Sequence, residues 1–272
     1  MSILEQIVQQ KRKEVKQKKM LYPVKLLERS EHFSSPVVSL KSYLTQKQKS
    51  GIIAEIKRSS PSRGVLNKYI SVEQTSIGYM RAGASALSIL TDEPFFSGTN
   101  NDLIVARQFN YCPILRKDFI IDEYQVIESR AIGADAVLLI ASILSDNEIR
   151  HLSGIAKALD LEIILEVHTK EELNKVNNSI DIVGVNNRDL ATFVTDIERS
   201  IALYDHIPKQ FVKISESGIH TPEIAYKLKK KGFDGLLIGE QFMTHSQPGH
   251  TCAQFINELK QLYAGEDMRA QE

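Results

Sequence analysis

Glu55 and Lys57 stand directly behind the apolar run Ile52-Ile53-Ala54 in GIIAEIKRSSPSRG (51–64), and the same arrangement recurs along the chain. Lys117 ends the run in CPILRKDF (112–119), Glu166 closes EIILEVH (162–168), and Asn186 and Arg188 follow DIVGV. Glu216, Ser217 and Gly218 end FVKISESG (211–218). Alternate residues of a strand share a face, so Glu55 pairs with Lys57 and Asn186 with Arg188. With Ile53 and Ile214 turned into a core, Glu55, Lys57 and Glu216 turn inward too. Converging ammonium and carboxylate groups are the equipment of proton transfer: a lysine protonates an oxygen that gains negative charge, and a carboxylate takes up or returns a proton. The competing reading is a set of interior ion pairs that only fill space. Desolvation costs several kcal/mol per ion and makes such pairs a poor source of stability. A cluster facing one opening therefore points to binding or catalysis.

The elements that must hold these groups alternate. Strand-like apolar runs occur at 51–57, 86–91, 112–119, 136–141, 162–168, 181–187, 211–218 and 235–240. Segments of helical periodicity fall after them at 71–84, 102–109, 122–134, 146–160, 169–176, 196–204, 221–232 and 251–263. Thr221-Pro222-Glu223 offers an N-cap, an N1 proline and an early acid; Asp146 is read as a second cap. Gly133 and Gly232 stand where helices should stop. Alternation of this kind means parallel strands with helical crossovers. Eight units closing on themselves form a (β/α)8 barrel, the TIM-barrel class, at the C-terminal face of which active sites lie. An open doubly wound sheet is the runner-up, weakened only slightly by the lack of a GxGxxG after the first strand.

One barrel takes about 250 residues, so the 272 here fit a single domain. Residues 1–48 form an N-terminal helical extension, 49–263 the barrel, and 264–272 a flexible tail. Leu4, Ile7, Val8, Lys11 and Val15 are at helical spacing, and the run KRKEVKQKK (11–19) is read as a solvated helix face rather than a phosphate-steering one. With 34 basic and 34 acidic residues the chain has no net field to gather nucleic acid or an anionic membrane, so a small-molecule ligand held by a local site is favoured. Cys112 and Cys252 lack metal-type spacing and read as free thiols of a reducing compartment. There is neither a secretory h-region nor a membrane span in the sequence, and a cytoplasmic location is expected.

The last two strands add a phosphate signal. SESG (215–218) and IGEQFM (238–243) place Gly218 and Gly239 where barrels commonly hold a phosphate, with a short extra helix expected after Gly239. A carboxylate at Glu240 about 5 Å from that charge would be repelled by roughly 3 kcal/mol at an effective dielectric of 20, so only its backbone N–H is expected to face the anion.

IIAEIKRSSPSRG, with its Glu-x-Lys and Ser-Pro, resembles the signature of the indole-3-glycerol phosphate synthase family of tryptophan biosynthesis. ILRKDFIID (114–122), LEVHT (165–169), GVNNRDL (184–190), ISESGI (214–219) and LLIGEQFM (236–243) match its later motifs in order, over about residues 40–245. The resemblance implies that Lys117 is the general acid and Glu166 its counterpart acid/base, and that Lys57 holds the substrate carboxylate and donates a proton. It implies that Glu55, Asn186, Arg188 and Glu216 position substrate and lysines, and that Phe119 and Leu190 line an aromatic pocket. Ser60, Ser217, Gly218, Gly239 and Glu240 would surround the phosphate. The implied reaction uses neither metal nor organic cofactor. The expected protein is a monomer acting on a phosphorylated small molecule, with association with other tryptophan-pathway enzymes left open.

His168 follows Glu166 at strand spacing and is read as structural rather than as a site residue. The segment from Ser59 to Lys68 is expected to close over substrate, because Ser60-Pro61 and Gly64 bracket a charged connection longer than a tight turn. The enzyme alternatives are the isomerase of the preceding tryptophan step and a Schiff-base aldolase; the non-enzyme alternative is a silent phosphate-binding barrel. Lys57 and Lys117 together speak against both enzymes. A neutral lysine would cost roughly 4–5 kcal/mol at pH 7, and silence would most simply show as a lost Lys117 or Glu166.

Overall fold

The computed structural model describes residues 2–189 and 192–269. Eight parallel strands close into a barrel: β1 Ile52–Ile56, β2 Ala86–Leu90, β3 Ile114–Lys117, β4 Ala136–Ile140, β5 Glu162–Val167, β6 Ile182–Asn186, β7 Val212–Glu216 and β8 Gly235–Ile238. Each pairs with its neighbours in sequence, and β1 closes the ring on β8 through Ile53↔Leu237 and on β2 through Ile53↔Ala86. Branched residues at both parities explain why the strands read as continuous apolar runs, since both faces are covered. One parity, with Ile52, Ala54 and Ile56 of β1, packs against the helices. The other, with Ile53, Leu115, Leu138, Ile164, Ile182, Ile214 and Leu237, fills the barrel.

Local chemistry explains the helix boundaries. The Thr221 side chain accepts from the Ile224 N–H at 3.4 Å and Pro222 opens the helix Pro222–Lys231, which Gly232 ends at φ 118°. The helix Asp146–Ala158 is capped by Ser145, not by Asp146 as expected. Ser145 and Glu148, three residues apart, satisfy each other's backbone N–H groups, which frees Asp146 to pair with Arg150 at 2.8 Å. Residues 169–176 yield only a 3-10 turn, Glu171–Lys175, because the Glu172 carboxylate is drawn back to the His168 N–H at 2.6 Å. The last helix spans Pro248–Arg269, so the tail expected from 264 is helical that far; Ala264, Glu266, Met268 and Arg269 are good helix formers.

The N-terminal extension packs at both ends of the barrel. Leu40 and Leu44 of the helix Leu40–Thr45 join the interior cluster, and Leu44 lies under β8 at Gly235. The first helix, Ile3–Leu21, brings Ile7 to the opposite end of that same cluster. Here the reading of 11–19 as a solvated face is corrected. Lys11 and Val15 are buried, and Lys11 Nζ lies 2.8 Å from Asp92 and 3.0 Å from Asp118. Lys18 and Lys19 reach Glu128 and Asp122 at 2.9 and 2.8 Å. Carboxylates distant in sequence turn a lysine-rich stripe into a docking stripe. No helix among the described residues is long and apolar enough to cross a membrane.

Candidate active site

At the carboxyl ends of the strands the inward parity changes from aliphatic to ionisable: Ile53 gives way to Glu55, Leu115 to Lys117, Ile164 to Glu166 and Ile214 to Glu216. These groups meet at the floor of a cleft of about 1100 Å³, open mouth included. Lys117 Nζ donates to Glu166 Oε2 at 3.0 Å and to Glu216 Oε2. Lys57 Nζ donates to Glu55 Oε1 at 2.7 Å. Glu55, Glu166 and Glu216 are only 3%, 3% and 1% exposed, so the charges interact through little water.

That burial splits the carboxylates. Burial alone would discharge Lys117, but Glu166, Glu216 and Glu55 outweigh it and raise its pKa, so the side chain stays an ammonium. Burial also works against the charge of Glu166, yet Lys117, then His168, hold it below the ordinary range. Glu216 is pushed up to about 7 by burial, with Lys117 offsetting and the Glu166 charge adding to the rise. One carboxylate is thus poised to accept a proton while its neighbour exchanges one near neutrality. As an ammonium, Lys117 has a proton to give to an oxygen that gains negative charge and is unsuited to attack a carbonyl as an amine.

The other expected residues surround this floor. Asn186 and Arg188, at and just after the end of β6, line the cleft, as do Ser217 and Gly218 after β7 and Gly239 and Glu240 after β8. Ser217 and Gly218 both have positive φ, 68° and 76°, a tight turn that glycine suits and serine adopts only under local constraint. The Glu240 carboxylate is held between Arg63 at 2.9 Å and Arg188 at 3.0 Å. Its charge is therefore matched by two guanidiniums, which lessens the repulsion expected for an anion nearby. Phe119 lines the opposite wall; Leu190 lies outside the described residues. Ser60 lines the rim within the segment expected to close. There Ser59–Ser60 pairs antiparallel with Gly64–Val65, and Ser62 Oγ accepts from Arg188 at 2.8 Å. Arg58 anchors the base of that segment to Asp102 at 2.5 and 2.9 Å. His168 lies behind Glu166, 3.8 Å away, and does not line the cleft.

The apolar half of the cleft was largely missed. Ile3, Leu4 and Ile7 of the first helix roof it, and Phe96 faces Phe119 with ring centroids 5.9 Å apart. Leu138 and Ile140 of β4 could have been found by the same period-two count that located Glu55. The roof could not, because the helical stripe of Leu4 and Ile7 does not say which surface it covers.

Comparison with known proteins bears on the fold and the family. Solved structures show the fold at low identity: tryptophan synthase subunit alpha from Legionella pneumophila superposes with TM-score 0.60 at 16% identity, covering 81% of this chain and 95% of that one. The 3-hexulose-6-phosphate synthase of Salmonella typhimurium gives 0.61 at 12%, covering 78% and 99%. Sequence is more discriminating. The indole-3-glycerol phosphate synthase of Bacteroides thetaiotaomicron is 45% identical over 258 residues, 95% of this chain and 99% of that protein. That of Thermoanaerobacter pseudethanolicus is 39% identical over 261 residues, 95% and 98%. The family model described as indole-3-glycerol phosphate synthase matches residues 4–258, from the roof helix through all eight strands, and the chain belongs to that family.

Proposed function

We propose that the cleft closes the indole ring of 1-(o-carboxyphenylamino)-1-deoxyribulose 5-phosphate, releasing carbon dioxide and water to give indole-3-glycerol phosphate. The observation that carries this reading is the charged Lys117 shared by Glu166 and Glu216 at the floor of a cleft with one apolar wall and one polar wall. The anilino ring fits the apolar wall of Phe96, Phe119 and Leu138. The phosphate fits the turn at Ser217-Gly218 and the chain at Gly239-Glu240, within reach of Arg188.

In the first step the ring carbon attacks the ketone, a carbon–carbon bond forms, and the carbonyl oxygen takes a proton from Lys117. Loss of the ring carboxylate as carbon dioxide leaves its bonding electrons to restore aromaticity. In the last step the new hydroxyl leaves as water. Lys57, kept charged by Glu55 at 2.7 Å, supplies the proton for the leaving oxygen, and Glu166 takes a proton from the neighbouring ring methylene, whose C–H electrons form the new double bond while the nitrogen keeps its hydrogen. Asn186 and Glu216 hold the lysine and substrate in register. Buried, unpaired Cys112 and Cys252 suit the cytoplasm, where the enzyme acts as a monomer.

The test is indole fluorescence after mixing purified protein with the carboxyphenylaminodeoxyribulose phosphate in the presence of chelator, beside Lys117→Ala. The parent should produce signal and the variant should lose about 10³-fold in kcat. A folded parent giving none would leave a phosphate-binding barrel without catalysis.

A further inference from the structure

Glycine weakens a strand interior unless something needs the space. Gly184 is the third residue of β6, between the inward-facing Ile182 and Asn186, and its φ is not among the positive values that would require glycine. The reason for it lies across the barrel wall. A methyl group on Gly184 would sit 2.5 Å from Glu216 Oε1 and 3.2 Å from both Ile164 Cγ2 and Ile214 Cγ1. The two isoleucines close off sideways escape, so the carboxyl of Glu216 would have to move. That oxygen is buried and has no hydrogen-bond partner, while Oε2 engages Lys117.

We propose that Gly184 is a positioning residue for the synthase reaction: its missing side chain makes the hollow that receives one oxygen of Glu216 and so fixes the other on Lys117. Filling the hollow turns Glu216 outward, toward the mouth and water, and leaves Lys117 held on one side by Glu166. The groups facing Glu216 are Lys117 from β3, Glu166 from β5 with His168 behind it, and Glu55 from β1 with its partner Lys57. Burial is the largest influence holding the Glu216 titration up at about 7, so outward rotation moves that titration down.

The proposal rests on the synthase reading, and one assay separates the two. Gly184→Ala, Glu216→Ala and the double variant are compared with the parent for kcat, KM, pH dependence and thermal unfolding. Gly184→Ala should lose about 100-fold in kcat with little change in KM, the cost of a misplaced group near the chemistry. The pH limb that disappears in Glu216→Ala should move to lower pH. In the Glu216→Ala background the same methyl group has room and should change nothing. Equal losses in both backgrounds, or an unmoved limb, overturn the proposal, since packing against Ile164 and Ile214 would then be the whole role. Should Gly184→Ala fail to fold, a folded double variant supports the steric conflict with Glu216 and an unfolded one refutes it. An inactive parent, by contrast, removes the synthase reading itself.

Discussion

Arg116 and Lys117 are adjacent on β3, and they face opposite sides of the barrel wall into two different charge networks. Arg116 looks outward. Its guanidinium donates to Thr91 Oγ1 at 3.0 Å, to Asp118 Oδ2 at 3.0 Å, to Glu128 Oε2 at 2.7 Å and to the Gln125 carbonyl at 3.0 Å. Asp118 is saturated in turn: Lys11 and the Phe119 N–H take Oδ1, while Arg116 and Thr91 take Oδ2. Burial would raise its pKa, but Lys11 and Arg116 overcome that and depress it strongly. Lys117 looks inward to carboxylates of which one, Glu216, keeps a buried oxygen without a partner and is pushed up to about 7. The two networks share a strand and differ in completion. Asp118, engaged on both oxygens, stays charged and helps hold the roof helix to β3, whereas Glu216, engaged on one, keeps a proton in play beside the cleft.

The comparison can be broken most forcefully at Arg116. Arg116→Met strands Asp118 and Glu128 without their shared partner and should cost about 3–5 kcal/mol in urea unfolding, with kcat of the folded fraction close to the parent's. A loss in kcat without a loss in stability would erase the distinction between the two sides. Lys11→Met tests the same network at its far end. It should cost about 2–3 kcal/mol, since Asp92 loses its cation while Asp118 keeps Arg116, and KM should rise as Ile3, Leu4 and Ile7 loosen over the cleft. An unchanged KM would show that the roof is held by packing alone.

The smallest effect carries the sharpest sign. Glu216 has a folded pKa of about 7, above its ordinary 4.5, so the stability it contributes is fully present below 4.5 and lost as pH rises through 7. Glu216→Gln should therefore come close to the parent in stability at pH 4.5 and exceed it above pH 7, while turning over more slowly. Chemical denaturation at the two pH values reads this directly. A variant less stable than the parent above pH 7 would place Glu216 with the saturated network.

Which parts were legible follows from the range of the interactions. Glu55, Lys57, Glu166, Asn186 and Glu216 could be assigned to one interior face because strand parity is a property of adjacent residues. Thr221-Pro222 and Gly232 marked a helix for the same reason, whereas Ser145 took the cap assigned to Asp146 through a hydroxyl and a glutamate three residues on. Lys11 was misread because nothing near it in sequence announces Asp92 or Asp118. Phe96 was missed because the four-residue helix that carries it follows β2 without a periodic pattern of its own.

Periodicity and motif thus settled the alternation of strand and helix, the parity of the ionisable residues and the family likeness, all written in short stretches of chain. Only the tertiary structure decided that the first helix roofs the cleft, that Lys117 meets Glu216 from 99 residues away, and that two similar buried glutamates keep their protons so differently. Those outcomes depend on which distant groups share a low-dielectric space, and neither burial nor partner is a local property of the chain.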